Sequence, residues 1–354
     1  LFLDREFEHD VYELIKAFYP EAEIHTLYDE AEAGEYDLRF RVERENGTYK
    51  ISYDRRENVT AGFTERKGVA SADVIGEDKL TVKDPHALRK ENKDALKYAL
   101  YQLLVKLTGR TLPWGNLTGI RPAKLAMGMI ESGMKNTEAA REMREKYLVS
   151  PEKTALAVTI ANREREILKD IDYENGYSLY IGIPFCPSIC LYCSFSSYPL
   201  KVWEKRTDEY VEALCKEIRE TAFLMQGRKL DTIYIGGGTP TTLLPHQLRK
   251  LLDTLGEAFG YEGLAEFTIE AGRPDSITRE KLQAIREYPV TRISVNPQTM
   301  NQETLDLIGR RHTVEQTREA FYLARELGYD NINMDLIVGL PGEDISMVER
   351  TLEQ

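Results

Sequence analysis

Residues 178–195 read SLYIGIPFCPSICLYCSF, and this stretch decides how the second half of the chain is to be read. Ser178 to Ile183 has the length and apolar character of a strand. Cys186, Cys190 and Cys193 follow with the spacing C-x3-C-x2-C, on the loop after that strand. The rhythm then repeats. TIYIGG, EFTIEA, RISVN and NINMDLIVG read as further strands, and TDEYVEALCKEIRETAFLM and VEQTREAFYLARELG read as helices between them. Repeated strand–helix units with nearly continuous apolar strands specify a parallel sheet. Each strong polar motif falls just past a strand, the edge at which parallel α/β folds and barrels carry their sites. Five strands imply an α/β fold of the partial (β/α) barrel type.

Upstream the pattern differs. Phe7, Val11, Leu14, Ile15 and Phe18 recur at helical spacing and stop at Pro20. Leu38, Phe40 and Val42 alternate, as do Tyr49, Ile51 and Tyr53, with ENGT between them as an Asn-Gly hairpin signal. Residues 1–83 therefore read as a small α+β unit. Residues 84–175 read as a helical connector. It holds an apolar stripe, Leu96, Ala99, Leu100, Leu103, Leu104 and Leu107, closed by Gly109. LTGIRPAKLAMGMIESG and SPEKTALAVTIANREREILKD follow as helices, the second with Ser at the cap and Pro in the first turn. Arg121 and Lys124 read as solvated charge. Residues 176–354 form the parallel α/β unit.

A chain of 354 residues suggests about two domains. Its net charge of −12 argues against broad binding to nucleic acid or an anionic membrane. No apolar run approaches the roughly 20 residues of a membrane helix, and LFLDREFEHD is not a signal peptide. The chain opens without Met and stops at MVERTLEQ within a helical pattern, so it reads as a fragment. Four cysteines, three of them clustered, fit a metal site in a reducing cytoplasm rather than a disulfide framework.

Thiolates suit iron–sulfur clusters and zinc. A structural zinc takes four protein ligands. The nearest histidines are His86 and His246, and Cys215 lies in the amphipathic VEALCKEIRE as a core thiol. Three thiolates on a cubane of four irons leave one iron open to another ligand. A zinc ion completed by a distant residue is the alternative. Past the later strands stand the glycine run YIGGGTPT, Glu270 in TIEAGRPDSIT, Gln298 in RISVNPQTM and Arg310, Arg311 and His312 in LDLIGRRHT. Glycines let backbone N–H groups approach an anion, and the run reads equally as a tight turn. His312 reads as a structural hydrogen-bonder. Asp335, between Met334 and Leu336, reads as a carboxylate in an apolar strand, which needs partners.

C-x3-C-x2-C with Tyr192 before the last cysteine resembles the radical S-adenosylmethionine (SAM) enzymes. The longer YIGIPFCPSICLYCSF resembles the oxygen-independent coproporphyrinogen III dehydrogenase group, and within it the HemZ-type branch; LTGIRPAKL is similar to that branch too. The resemblance implies a [4Fe-4S] cluster on Cys186, Cys190 and Cys193. It implies SAM contacts at Tyr180, Tyr192, Gly237, Gly238, Thr239, Glu270, Gln298, Arg310 and Asp335. Gly237, Gly238 and Thr239 would hold the amino-acid end. It further implies a tetracarboxylate porphyrinogen substrate, oxidative decarboxylation of two propionates to vinyls in haem synthesis, and an electron donor such as flavodoxin or ferredoxin. Arg273, Arg292 and Arg311 are candidates for the substrate carboxylates.

Two positions depart from the group's pattern. Gly182 stands where related enzymes commonly have His, and Asn296-Pro297 replaces a Gly-containing pair before Gln298. Relatives that keep the cluster motif also include haem-binding chaperones, so that reading stands beside the enzyme.

Overall fold

The computed structural model describes residues 5–29, 31, 34–45, 48–59, 62–73, 85–173 and 175–354. The chain divides into two compact units, one ending at Leu168 and the other beginning at Lys169.

In the first unit a 3-10 turn, Arg5–Phe7, leads into helix α1, Glu8–Phe18. Strands β1 (Leu38–Glu45) and β2 (Thr48–Val59) pair antiparallel, with Glu45 opposite Thr48. The expected Asn46-Gly47 turn lies outside the described residues. A third strand, β3 (Gly62–Asp73), pairs with β2 along its length. The sequence reading had no β3, because GFTERKGVASAD has too few apolar positions to alternate. Helix α2, Pro85–Thr108, carries the expected apolar stripe. Leu96, Leu100 and Leu104 share one core with Phe7, Leu14 and Phe18 of the N-terminal segment and Val42, Tyr49 and Ile51 of the strands. Each such burial is worth about 1.5–3 kcal/mol. α2, grouped by its sequence with the connector, thus packs on the α+β residues before it.

Helices α3 (Pro122–Glu131), α4 (Asn136–Glu145) and α5 (Pro151–Ile167) form a second core around Ala126, Met129, Ala139, Met143, Ala157 and Ala161. Ser150 caps α5 as expected, its hydroxyl accepting from the Lys153 N–H at 3.3 Å. Arg121 and Lys124 are exposed.

The second unit runs β4 (Gly176–Ile183), a two-residue parallel ladder of β5 (Phe185–Cys186) with β6 (Tyr198–Pro199), α6 (Leu200–Trp203) and α7 (Thr207–Leu224). It continues through β7 (Lys229–Gly237), α8 (Pro245–Phe259), β8 (Glu266–Glu270), α9 (Arg279–Arg286) and β9 (Arg292–Ser294). It ends with α10 (Gln302–Leu307), α11 (Val314–Glu326), β10 (Ile332–Asn333) and α12 (Ile345–Glu353). β4, β7, β8, β9 and β10 form one sheet in that order, every pair parallel. The fold is the expected α/β partial barrel.

The two faces of this sheet differ, because side chains alternate along a strand. Ile181, Ile183, Ile233, Ile235, Phe267, Ile269 and Ile293 lie in the main core, with Val211 and Ile218 of α7, Leu251 and Leu255 of α8, and Leu282 of α9. Cys215 is fully buried there, the core thiol the sequence implied. On the other face the register places Tyr180, Tyr234, Thr268 and Arg292 in one row. Gly182 beside Gly236 and Glu270 beside Ser294 come next. One face is therefore a helix-covered core and the other a polar surface leading to the strand ends.

The last strand is shorter than NINMDLIVG suggests. Its ladder with β9 holds only two pairs, followed by a single parallel bridge between Gln298 and Leu336. β9 itself ends at Ser294, and the chain then turns through Gln298 at φ +66°.

Candidate functional site

All three clustered cysteines lie past β4, at the C-terminal edge of the sheet. The loop carrying them has few backbone bonds of its own, such as Cys193 N–H to Cys190 O at 3.1 Å. The loops after β8 and α10 hold it instead. Leu191 N–H donates to Ile308 O at 2.9 Å, and Ser188 Oγ to Gly309 O at 2.7 Å. Arg310, almost fully buried, donates from Nη1 to Tyr192 Oη at 2.9 Å and from Nη2 to the carbonyls of Gly272 and Asn296 at 2.9 and 2.8 Å. Its Nε has no partner among the described residues. Tyr192 and Arg310 therefore meet, and together tie the cysteine loop to the ends of β8 and β9.

The glycine run abuts the same loop. Gly237 closes β7 at φ +103°, and the Gly238 N–H donates to Ile183 O at 2.7 Å. A Cβ on Gly238 would lie 2.8 Å from Phe185 O, 2.9 Å from Ile183 O and 3.0 Å from Cys186 Sγ. The run's first task is thus close approach of β7 to the start of the cysteine loop. The Gly238 N–H is thereby spent on the β4 end, and the Gly237 N–H is directed at Glu270. Thr239, buried, donates from Oγ1 to Cys186 Sγ at 3.5 Å. Burial raises the Cys186 thiol above its ordinary pKa, against the opposing effects of the Thr239 bond and Arg273.

Glu270, the last residue of β8, accepts a short hydrogen bond from Tyr234 Oη. Burial raises its carboxyl above the ordinary range; the Tyr234 bond and the Gly237 N–H pull the other way, and the nearby Asp335 adds to the rise. Tyr234 stacks on Tyr180, ring centroids 5.8 Å apart and 12° from parallel. Tyr180 is 60% exposed, so it is a surface of the site rather than a core aromatic.

Asp335 is exposed, which corrects the expectation of a carboxylate in an apolar strand. The strand ends before it, and Met334 and Leu336 on either side are exposed as well. It has partners nonetheless: Asn296 Nδ2 at 2.9 Å and Asn333 Nδ2 at 2.7 Å, while its own N–H donates to Asn296 Oδ1 at 3.1 Å. Gln298 acts here through its backbone, donating to Asp335 O at 3.0 Å and accepting from the Ile337 N–H at 2.9 Å. The departing Asn296 is thus the residue that holds Asp335, and the chain passes through Gln298 at φ +66°.

The candidate arginines separate. Arg273 is 4% exposed, paired with Asp275, and reaches the cysteine loop, so it is not open to a substrate carboxylate. Arg292 shares the sheet row of Tyr234 and Thr268, close enough to lower the pKa of the Glu270 carboxyl, and faces Glu266 at 3.7 Å. Arg311 is exposed. His312 is fully buried with neither ring nitrogen hydrogen-bonded among the described residues, which corrects its reading as a structural hydrogen-bonder. Burial and the neighbouring Arg310 lower its pKa to about 4, so it is neutral at neutral pH. Its charged neighbours Arg310 and Arg273 only donate, and the Asp275 carboxylate is taken by Arg273.

Sequence reasoning missed Tyr234 and Asn296. Tyr234 was legible in principle, two residues before Gly236 and so on the same face. Asn296 was noted only as a departure.

The residues present fit a cubane. Three thiols share one loop, two of their sulfurs accept from Thr239 and Arg273, and a glycine keeps the space beside Cys186 free of a Cβ. No three described His, Cys, Asp or Glu side chains converge on a single-ion position. A cubane does not need them to, since each thiolate takes its own iron.

A parallel α/β partial barrel with a three-cysteine loop at its strand ends defines a class, and comparison with known proteins names it. The radical SAM superfamily model matches residues 180–354, and the chain belongs to that superfamily through those residues. It is 40% identical over 269 residues to the oxygen-independent coproporphyrinogen-III oxidase-like protein HemZ of Bacillus subtilis, covering 75% of this chain and 54% of that protein. The heme chaperone HemW of the same organism is 40% identical over 176 residues, 49% of this chain and 46% of that protein. The oxygen-independent coproporphyrinogen III oxidase of Escherichia coli is 34% identical over 181 residues, 51% of this chain and 39% of that protein. The chain spans about half the length of these relatives. No described helix is long and apolar enough to cross a membrane.

Proposed function

We propose that this chain carries the radical SAM part of an oxidoreductase of the coproporphyrinogen III dehydrogenase type, converting propionate side chains to vinyls by oxidative decarboxylation without O2. One observation carries the reading. The cysteine loop, Glu270, the Asn296–Asp335 pair and Arg310–Tyr192 gather at one edge of one sheet, above a polar strand face. The HemZ match also runs over more residues than the whole second unit holds, whereas the HemW match does not.

A [4Fe-4S] cluster, when bound, supplies one electron for cleavage of SAM. The remaining work belongs to the chain. Cys186, Cys190 and Cys193 would hold the cluster through their three thiolates. Gly237, Gly238 and Thr239 border the position for the amino-acid end of SAM. Asp335, oriented by Asn296 and Asn333, offers carboxylate oxygens suited to a ribose diol. Glu270, held by Tyr234, and the exposed face of Tyr180 stand at the strand ends between them. Gln298 and Arg310 keep those loops in place, and Tyr192 links Arg310 to the cysteines. An external electron donor such as a flavodoxin or ferredoxin completes the reading, with a tetracarboxylate porphyrinogen as substrate.

The test is anaerobic. The protein is reconstituted with iron and sulfide, then incubated with reductant, SAM and coproporphyrinogen III. Substrate-dependent 5′-deoxyadenosine with protoporphyrinogen IX supports the reading. Stoichiometric haem binding without turnover transfers it to a chaperone. Zinc without sulfide ends both.

A further inference from the structure

We propose that Arg273 and Asp275 are a positioning pair for the cysteine loop that sets how readily the group bound there accepts an electron. This rests on the cluster reading above.

Arg273 follows β8 and precedes the 3-10 turn Pro274–Ser276, buried to 4% exposure. Every nitrogen of its guanidinium is engaged. Nε and Nη2 donate to the two Asp275 oxygens at 3.0 and 2.8 Å. Nη2 also donates to Ser188 Oγ at 3.1 Å. Nη1 donates to Ser188 O at 3.3 Å and to Cys190 Sγ at 3.6 Å. Ser188 is the midpoint of the Cys186–Cys190 segment, so a side chain from 85 residues away holds that segment by backbone, hydroxyl and thiol at once. The planar fork is what permits this; a lysine offers no such geometry.

The electrostatics follow from the same contacts. A hydrogen bond to a ligand sulfur, and a positive charge beside it, favour the more negative, reduced cluster. Asp275 opposes this from the Nε–Nη2 side of the guanidinium, while Nη1 faces the sulfur. The two charges therefore partly offset each other at Cys190, and removing either one alone leaves the other's effect on the sulfur. Arg310 is the other guanidinium nearby and stays constant across the variants below, and His312 is neutral.

Opposite signs follow. Arg273→Gln removes the donor to sulfur and leaves the Asp275 carboxylate, so the oxidised state gains. Asp275→Asn leaves the guanidinium unopposed, so the reduced state gains. A purely structural clamp predicts damage in both cases and no such reversal.

Wild type, R273Q, D275N and the double variant are reconstituted with iron and sulfide, analysed for both, and titrated with dithionite while the reduced cluster is followed by electron paramagnetic resonance. R273Q should shift the oxidised-to-reduced ratio at a fixed potential about tenfold towards oxidised, a midpoint about 59 mV lower. D275N should shift it by a similar factor the other way, and the double variant should return to within about threefold of wild type (~30 mV). Shifts of the same sign, or none with iron and sulfide intact, overturn the proposal. Should R273Q lose its cluster, D275N decides: a midpoint above wild type with iron and sulfide intact supports the tuning role, and an unchanged or lower midpoint overturns it. Failure of wild type to take up iron and sulfide instead refutes the cluster reading beneath it.

Discussion

Tyr234→Phe tests whether the polar sheet face is organised around Glu270. The substitution keeps the ring and its stack on Tyr180 and removes one hydroxyl, the donor to Glu270. A hydrogen bond to a charged group contributes about 1.5–3 kcal/mol. Glu270 is only half-buried, so solvent screening reduces the expected loss to about 1–2 kcal/mol. For a unit of this size that is about 2–4 °C in Tm per kcal/mol. The effect should depend on pH. Glu270 has a folded pKa above its ordinary 4.5, with burial the main cause. Its contribution to stability is therefore complete below that ordinary value and is lost as pH rises through the raised one. Tyr234 limits this loss by bonding the carboxylate, so its removal should cost more at pH 8 than at pH 5. Thermal unfolding of both proteins at the two pH values, without air and with reductant, measures the difference. Equal losses at both values refute the reasoning. So does a pH-dependent gap that survives when Glu270→Gln is placed in both backgrounds.

Three further outcomes follow from the same geometry. Alanine at Cys186, Cys190 or Cys193 should each abolish iron and sulfide uptake; a stoichiometric cluster in any of the three removes that ligand from the set. Gly238→Ala should cost about 1–3 kcal/mol through overpacking, because its Cβ meets backbone oxygens at 2.8 and 2.9 Å, whereas Gly182→Ala, whose Cβ has no neighbour closer than 3.7 Å, should leave Tm nearly unchanged. Asp335→Ala should weaken SAM binding by calorimetry while iron content holds, and an unaltered affinity would separate Asp335 from the ligand.

What the sequence made legible was whatever leaves a period or a spacing. The strand starts at Arg292 and Glu266, the Ser150 cap and the cysteine loop after β4 all follow from local pattern, and local backbone preference suffices to place them. β3 escaped because its place comes from pairing with β2, not from alternation. The end of NINMDLIVG was misread for the converse reason: its residues suit a strand, but the neighbour they would pair with has already ended at Ser294.

The site shows the same division more sharply. Residue type and order singled out Cys186, Glu270, Arg310 and Asp335, and the fold brings the loops and strand ends that carry them to one edge of the sheet. Partner choice was not legible. Arg273 read as a receptor for carboxylates because a guanidinium suits them, and it does hold one, that of Asp275 two residues on. Its free donors then turn to the cysteine loop, a contact across 83 residues that no local pattern records. Tyr234 and Asn296 were passed over for a related reason. Each supports a charged residue on a neighbouring strand or loop, so its significance appears only once the register is known. In this unit the candidate ligand residues sit at chain positions a motif can mark, and the residues that hold them are set by tertiary pairing. Substitutions in the second group should therefore alter potential, pKa and orientation while leaving the motif intact.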